Sequence, residues 1–307
     1  MVRQPLDSPA ERLRTLLRQG RLLAAPCCFD ALSAKLIERA GFPVTFMSGF
    51  AVSATRLALP DTGLISYGEM VDQGRAICAA VSIPVLGDGD TGYGNALNVK
   101  RTVAGYARAG FAAVMIEDQQ APKRCGHTRG KAVVGRTEAL DHIRAAVDAR
   151  DEGADILILA RTDARATHGL DEALTRARAF AEAGADILFV EAPRTEAEME
   201  TVCRDLPGWK MANMLEGGDT PMVPPARLEA MGFAIAAYPL TLLGAAARAM
   251  TEALDDLRAG RQSPGRLVDF AGLRETVGFD AYDREARRYA HDPEPEQPDP
   301  DAARASR

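Results

Sequence analysis

The stretch DEGADILILARTD, residues 151–163, decides the fold, because a glycine precedes an apolar run that ends in polar and charged residues. Two similar stretches, RAGFAAVMIED at 108–118 and EAGADILFVEA at 182–192, repeat this order. Glycine after the last turn of a helix accepts the left-handed conformation that turns the chain back. A short apolar run after such a turn is typical of a parallel strand covered on both faces. The stretches therefore predict a recurring helix–turn–strand unit.

Eight apolar runs of this kind alternate with segments of helical period. Eight strand–helix units in about 250 residues indicate an α/β fold, a (β/α)8 barrel. A doubly wound open sheet is the alternative, but no Gly-x-Gly-x-x-Gly fingerprint follows the first run. The eight predicted strand regions are 22–30, 44–49, 83–90, 112–119, 155–165, 186–193, 209–214 and 233–239.

The same pattern divides the 307 residues into four parts. We expect a helical lead-in at 1–20, the barrel at 21–260, amphipathic C-terminal helices at 261–290 and a disordered acidic, proline-rich tail at 291–307. The apolar faces of the C-terminal helices need a partner, which indicates another subunit.

Charge and hydropathy exclude several classes of protein. The net charge of −6 includes no single-sign tract that would attract nucleic acid or a membrane, so we expect a small anionic metabolite as partner. No apolar run approaches the roughly 20 residues of a membrane span, and no signal peptide begins the sequence, so we expect a cytoplasmic protein. Four of the five cysteines (Cys27, Cys28, Cys78 and Cys203) are predicted to be small buried apolar residues.

Chemically capable residues follow six of the predicted strands, at the end where barrel enzymes build their active sites. Such residues ending six strands on one rim are hard to attribute to solubility. They are Ser48 and Gly49, then Asp88 and Asp90, Glu117, Arg161, Glu191 and Asn213.

Asp88 and Asp90 predict a metal site. Two residues apart on an extended strand, they would point to the same face, and two close carboxylates repel unless a cation lies between them. Oxygen ligands favour Mg2+, or Mn2+, and Glu117 on the next strand can join them. The alternative is an aspartate pair that caps the next helix near Asn95.

Arg161 is placed to bind a substrate carboxylate, with Asp163 or Glu191 holding the guanidinium. Its alternative is a structural ion pair at the barrel rim. Ser48 and Gly49 offer a hydroxyl and backbone N–H groups to a second carboxylate, although Ser-Gly is also an ordinary turn.

The stretch PKRCGHTRGK, residues 122–131, surrounds Cys125 with cationic neighbours, which lower the pKa of a thiol. A thiol that titrates near neutrality suits a general acid or base. Gly126 and Gly130 could act as hinges of a loop that closes over the metal. The alternative is a mobile basic loop with an incidental cysteine. The neighbours are Lys123, Arg124, His127 and Arg129.

The sequence resembles the isocitrate lyase and phosphoenolpyruvate mutase superfamily from about residue 20 to 290. The motifs are MSGFAVSA, LPDTGL, GDGDTGYGN, the IEDQ and PKRCGH segments, ARTDAR, VEAP and ANMLEGGDTP. The cysteine of the Lys-Arg-Cys-Gly-His segment is the mark of the lyase branch. The resemblance implies a (β/α)8 barrel, Mg2+, and a homotetramer in which a C-terminal helix is exchanged between subunits.

The resemblance also implies roles for individual residues. Asp88 would be the main metal ligand, and Cys125 would protonate carbon after the bond breaks. The metal site would be completed by Asp61, Asp90 and Glu117, the substrate held by Ser48, Gly49, Phe50, Gly126, Arg161 and Asn213, and the thiol's surroundings shaped by Lys123, His127 and Glu191.

Two departures from the methylisocitrate lyase pattern bear on the substrate. Phe46 stands where those enzymes usually carry tyrosine, and Phe50 replaces a glycine, which removes a hydroxyl and adds an apolar wall. We therefore expect a Mg2+-dependent carbon–carbon lyase acting on a small 2-hydroxy or 2-oxo dicarboxylate, with a 2-alkylmalate or oxaloacetate favoured over methylisocitrate. The alternatives are a carboxyphosphonoenolpyruvate-type phosphonomutase and a non-catalytic dicarboxylate-binding barrel.

Overall fold

Eight parallel strands close into a barrel in sequence order, and β8 returns to pair with β1. This confirms the predicted (β/α)8 barrel, and the open-sheet alternative is wrong. Each predicted strand region contains one observed strand. The strands are β1 Leu23–Cys28, β2 Thr45–Met47, β3 Val85–Asp88, β4 Ala113–Glu117, β5 Leu157–Thr162, β6 Ile187–Val190, β7 Trp209–Asn213 and β8 Ile235–Tyr238.

The structure, a computed structural model, describes residues 7–126, 130–262 and 265–290. The chain divides into two compact units, Met1–Gln262 and Ser263–Arg307. The helices are α1 Pro9–Arg18, α2 Ala31–Arg39, α3 Gly49–Val52, α4 Tyr67–Ala80, α5 Ala96–Ala109, α6 Arg136–Asp151, α7 Ala164–His168, α8 Leu170–Glu182, α9 Glu196–Asp205, α10 Pro225–Met231, α11 Thr241–Arg258, α12 Phe270–Val277 and α13 Phe279–Arg287. A π-helical turn, Ser53–Leu57, follows α3.

Local signals set where the helices begin and end. The repeated glycines adopt the expected left-handed backbone, with φ of 101° at Gly110, 117° at Gly153 and 101° at Gly184. At the other end of α5, the Asn95 side chain accepts hydrogen bonds from the N–H groups of Leu97 and Asn98. Such caps satisfy backbone groups that have no partner within the helix.

The barrel interior is filled by alternate residues of the strands, while the intervening residues pack against the surrounding helices. Helix α1 belongs to the interior cluster, since Ala10, Leu13 and Leu17 are buried together with barrel residues such as Leu157 and Ile235. The predicted lead-in therefore packs as part of the barrel core.

Helix α11, by contrast, buries none of its residues. In the second unit, α12 and α13 account for residues 270–287, consistent with the predicted amphipathic helices, and the predicted tail at 291–307 lies outside the described residues. None of the helices in the described ranges combines the length and apolar character needed to cross a bilayer.

The cysteine prediction is correct for three of its four positions. Cys27, Cys28 and Cys203 are buried, but Cys78 is only partly buried. Burial raises the pKa of Cys28 to about 12, which keeps this thiol protonated at neutral pH.

We expect Leu13→Ala to lower the free energy of unfolding by about 2–5 kcal/mol, because it leaves a cavity in the barrel core. Leu97→Ala is the control, since Leu97 is 74% exposed, and it should change stability by less than about 0.5 kcal/mol. Urea unfolding of both variants gives the comparison. Equal losses would show that α1 is not part of the core.

Candidate active site

On five strands, the row of side chains that faces the barrel interior ends with a predicted site residue. On β4 and β5 the interior residues Met115 and Leu159 are followed two positions later by Glu117 and Arg161. The same step leads from Leu86 to Asp88, from Phe189 to Glu191 and from Met211 to Asn213. Because strand side chains alternate, these polar groups form the top layer of the barrel interior.

Asp88 is fixed by two backbone donors. The N–H of Gly49 donates to Oδ2 at 3.2 Å and the N–H of Asp90 to Oδ1 at 3.0 Å. A Cβ at Gly49 would lie 2.5 Å from Asp88 Oδ2, so any side chain at this position must displace the Asp88 carboxylate. The Gly49 N–H that was predicted to bind a substrate carboxylate is thus engaged by Asp88.

The prediction that Asp88 and Asp90 share one face of a strand was wrong, although both carboxylates lie at the same end of the barrel. Strand β3 ends at Asp88, and Asp90 has a left-handed backbone with φ of 48°. The capping alternative is also wrong, because Asn95 caps α5.

Lys123 forms ion pairs with two segments at the C-terminal end of the barrel. Its buried Nζ lies 2.6 Å from Asp61 Oδ1 and 2.8 Å from Asp90 Oδ1. Burial alone would lower the pKa of this amine, but the charges of Asp90, Asp88, Glu117 and Asp61 raise it well above its usual range. Lys123 is therefore a permanent cation that links the segment after β2 to the segment after β3.

Arg161 lies among three carboxylates. Its Nε and Nη2 donate to Asp163 at 2.8 and 3.0 Å. Nη2 is also 3.1 Å from Glu191, and Nε is 3.3 Å from Glu117. On the far side of Glu191, the amide of Asn213 donates to the carboxylate at 3.3 Å. Both predicted holders of Arg161, Asp163 and Glu191, are thus in place.

Cys125 is partly buried and lines the same cavity as Lys123, Gly126 and Arg161. Gln119 holds the start of this segment through paired hydrogen bonds of 2.9 Å with the backbone N–H and carbonyl of Arg124. His127, predicted to shape the surroundings of the thiol, lies outside the described residues.

The rest of the cavity lining is mostly apolar. Ser48 is part of this lining, and its hydroxyl accepts a hydrogen bond from the N–H of Ala51 at 3.3 Å, so Ser48 caps α3. The predicted Phe46 and Phe50 also line the cavity. Further apolar lining comes from Phe189, Met211, Leu215 and Leu240.

The charges at the mouth fit an additional cation. Among the described residues of this region, six buried carboxylates (those of Asp61, Asp88, Asp90, Glu117, Asp163 and Glu191) lie with three buried cationic side chains (those of Lys123, Lys131 and Arg161), and the adjoining buried Asp118–Arg176 pair balances its own charge. Burial is the main reason that the pKa of Asp90 is raised to about 6 and that of Glu117 well above its usual range. Glu117 Oε1 is buried without a hydrogen-bond partner.

A magnesium ion suits this arrangement better than a metal that needs a full protein cage. In the described part of the chain, no three His, Cys, Asp or Glu side chains form a group that could hold a metal ion. Mg2+ usually keeps several waters and takes one or two carboxylates together with substrate oxygens. Asp88 and Glu117, which both line the cavity, are the ligands that fit.

Several supporting residues were not found from the sequence. Lys131 donates to Asp163 Oδ1 at 3.0 Å, and Arg176 donates to Asp118 Oδ2 at 3.0 Å. Asp118 also accepts from the N–H of Asp163 at 2.9 Å. The partners are too far apart in the chain for spacing to reveal them. Phe189 and Met211, however, could have been found from the two-residue alternation of their strands.

A (β/α)8 barrel whose charged groups gather at the C-terminal ends of its strands has the layout of a barrel enzyme's active site. Residues 13–258 match the family model described as phosphoenolpyruvate phosphomutase. The chain therefore belongs to this family, in the isocitrate lyase and phosphoenolpyruvate mutase superfamily, and is an enzyme of the carbon–carbon lyase type.

Its relatives span several substrates. The chain is 42% identical to 2,3-dimethylmalate lyase of Eubacterium barkeri, over 92% of this chain and 98% of that protein. It is 40% identical to 2-methylisocitrate lyase of Aeropyrum pernix, over 92% of each. A structure of oxaloacetate acetylhydrolase with 3,3-difluorooxalacetate has a TM-score of 0.88 and 34% identity, covering 92% of this chain and 98% of that one. These relatives are enzymes, which disfavours the non-catalytic binding barrel.

We expect Gly49→Ala to lower kcat/KM by about 100-fold, because the added Cβ displaces Asp88, and a shift of about 1 Å in a catalytic group has an effect of this size. Gly68→Ala is the control, since its Cβ would meet only Ser66 Oγ, at 3.9 Å. Steady-state kinetics of the two variants test this. Equal activity of the two variants would show that catalysis does not depend on the position of Asp88.

Proposed function

We propose that the protein is a Mg2+-dependent lyase that cleaves a small 2-hydroxy dicarboxylate of the 2-alkylmalate type into a 2-oxo acid and a second carboxylate. The observation that carries the proposal is the mixed lining of one cavity, which contains Asp88, Glu117 and Arg161 together with the apolar Phe46 and Phe50. Such a cavity complements a molecule with charged ends and an alkyl group.

In this proposal Asp88 and Glu117 hold Mg2+, with Asp61 and Asp90 nearby through Lys123. The ion, when bound, supplies a Lewis acid for the oxygens of the 2-hydroxy acid. The hydrogen bonds of Arg161 to Asp163 use Nε and Nη2, which leaves Nη1 to bind a substrate carboxylate. Ser48 and Asn213, which also line the cavity, contribute further polar contacts.

The bond that breaks is the one between C2 and C3. Glu191, a carboxylate that lines the cavity and is not assigned to the metal, accepts the hydroxyl proton as C2 becomes a carbonyl, and the electron pair of the broken bond passes to C3 and its carboxylate. The Cys125 thiol, which lines the cavity, then gives its proton to C3. Arg161 and Lys123 stabilise the negative charge that develops before this proton transfer.

The pairing of the cations limits the number of substrate carboxylates. Three of the described cationic residues line the cavity; the two buried ones, Lys123 and Arg161, already contact protein carboxylates, and Arg124 is exposed. A third substrate carboxylate placed against Phe46 and Phe50 would lose its hydration beside apolar side chains, which costs several kcal/mol. We therefore place 2-alkylmalates, and then oxaloacetate, before 2-methylisocitrate.

We also propose a homo-oligomer, a tetramer in which C-terminal helices are exchanged. Helix α11 exposes Met250, Leu254 and Leu257, with 59%, 65% and 71% of each residue accessible. In the second unit Phe270 and Tyr282 are 74% and 73% exposed. Apolar faces of this size are normally covered in solution, and further copies of the chain are the simplest cover.

Cys125→Ser should lower kcat by at least about 100-fold and leave substrate binding intact, as expected for removal of a general acid. Cys78→Ser is the matched control, because Cys78 does not line the cavity. Turnover and calorimetric binding of an unreactive substrate analogue separate the two effects. Near-normal turnover of Cys125→Ser would make the cysteine incidental.

A substrate panel tests the function itself. We expect pyruvate, or another 2-oxo acid, to be released from 2-alkylmalates in the presence of Mg2+, with kcat/KM at least about 10-fold above that for 2-methylisocitrate, since one missing polar pairing discriminates by this much or more. Efficient cleavage of 2-methylisocitrate would refute the assigned specificity.

The family description favours one rival, a phosphonomutase. Phosphorus NMR with carboxyphosphonoenolpyruvate as substrate distinguishes the two activities, because a lyase forms no new carbon–phosphorus bond. Appearance of such a bond, with no cleavage of any dicarboxylate, would replace the lyase proposal.

A further inference from the structure

Lys131 lies behind the thiol segment, and its side chain is 4% exposed. Its Nζ donates to the carbonyl oxygen of Gly126 and, at 3.0 Å, to Asp163 Oδ1. A buried ammonium group loses its hydration, so it persists only where its hydrogen bonds are satisfied. Lys131 therefore needs both contacts, one to the backbone beside Cys125 and one to the carboxylate that holds Arg161.

One oxygen links these two parts of the cavity. Asp163 Oδ1 accepts from Lys131 Nζ at 3.0 Å and from Arg161 Nη2 at 3.0 Å. Asp163 is fully buried and is itself fixed by its backbone N–H, which donates to Asp118 at 2.9 Å. Asp163, which joins Lys131 to Arg161, is therefore held in place by the barrel.

The other side of Gly126 rests against the same arginine. A Cβ at this position would lie 2.4 Å from Arg161 Nη2 and 2.5 Å from Glu191 Oε2. The backbone at Gly126 is thus held between the Arg161–Glu191 pair and the Lys131 amine. Cys125 is the adjacent residue, so its Cα cannot move far while both contacts persist.

We infer that Lys131 is a positioning residue, which holds the Gly126 carbonyl against the Arg161–Glu191 pair and so sets the place of the Cys125 thiol relative to the substrate-binding arginine. The inference deepens the proposed function and rests on it for the role of Cys125. Lys131 does not line the cavity, so it acts through Gly126 and Asp163.

The test measures the alkylation rate of each cysteine with iodoacetamide, followed by peptide mass spectrometry, in the full-length protein. Lys131→Met should raise the rate at Cys125 at least about 10-fold, because loss of a charged buried hydrogen bond frees the adjacent backbone. Lys131→Arg, which keeps a cationic donor, should restore part of the protection. Lys100→Met, which removes only the half-exposed pair with Glu152, is the control and should match the wild type.

The thiols of Cys28 and Cys203, which are buried and do not line the cavity, report on global unfolding in the same samples. An unchanged rate at Cys125 in folded Lys131→Met overturns the inference, and so does a rise shared equally by these two buried thiols. If Lys131→Met does not fold, Lys131→Gln, which keeps a donor for the Gly126 carbonyl but loses the charge, is judged by the same two criteria.

Kinetics on the substrate found by the panel give a second readout. Lys131→Met should lower kcat by about 100-fold and change KM by less than about 3-fold, because a displaced proton donor affects a step after binding. A change in KM of about 100-fold with an unaltered kcat would contradict the positioning role. If the wild type cleaves no dicarboxylate, the proposed function fails, while the alkylation rates still decide whether Lys131 fixes the thiol.

Discussion

Six carboxylates lie buried at one end of the barrel. The three cationic side chains beside them are too few to neutralise them. A buried charge must be paired or it destabilises the fold. The segment between β4 and α6 supplies two of these cations, since Lys123 pairs with Asp61 and Asp90, and Lys131 pairs with Asp163. The excess of negative charge that they leave is what the proposed divalent ion would neutralise. The pairing of buried charges thus fixes Lys123 and Lys131, which stand on either side of Cys125 in the chain.

The cavity combines this charged layer with apolar side chains. Phe46, Phe50 and Leu240 line it together with Arg161, and they offer no hydrogen-bond partner to an anion. A ligand that fills the cavity therefore needs both carboxylate groups and carbon substituents. In the proposed function, the arginine and the apolar side chains together select the substrate, and Cys125, which lines the same cavity, delivers the proton.

The sequence was sufficient for the barrel because its signals are local: an apolar run, a glycine turn and a polar residue at the strand end. It was sufficient for much of the cavity because interior side chains alternate, as from Leu159 to Arg161. It misled where the strand ended early, since the face of Asp90 depends on a left-handed backbone that spacing does not reveal. The sequence did not reveal the contacts of Lys131 or of the Arg176–Asp118 pair, because these contacts depend on how distant loops and helices meet. The assigned chemical roles of the site residues remain predictions.

Helix α1 fills the barrel interior away from the cavity. Leu13 and Leu17 pack in one cluster with Leu23, Leu157 and Ile235, which begin their strands. The described lining of the cavity includes no residue of this helix. A substitution in α1 can therefore make the barrel unfold more readily without altering which ligand the cavity accepts, so the two properties can change independently during evolution.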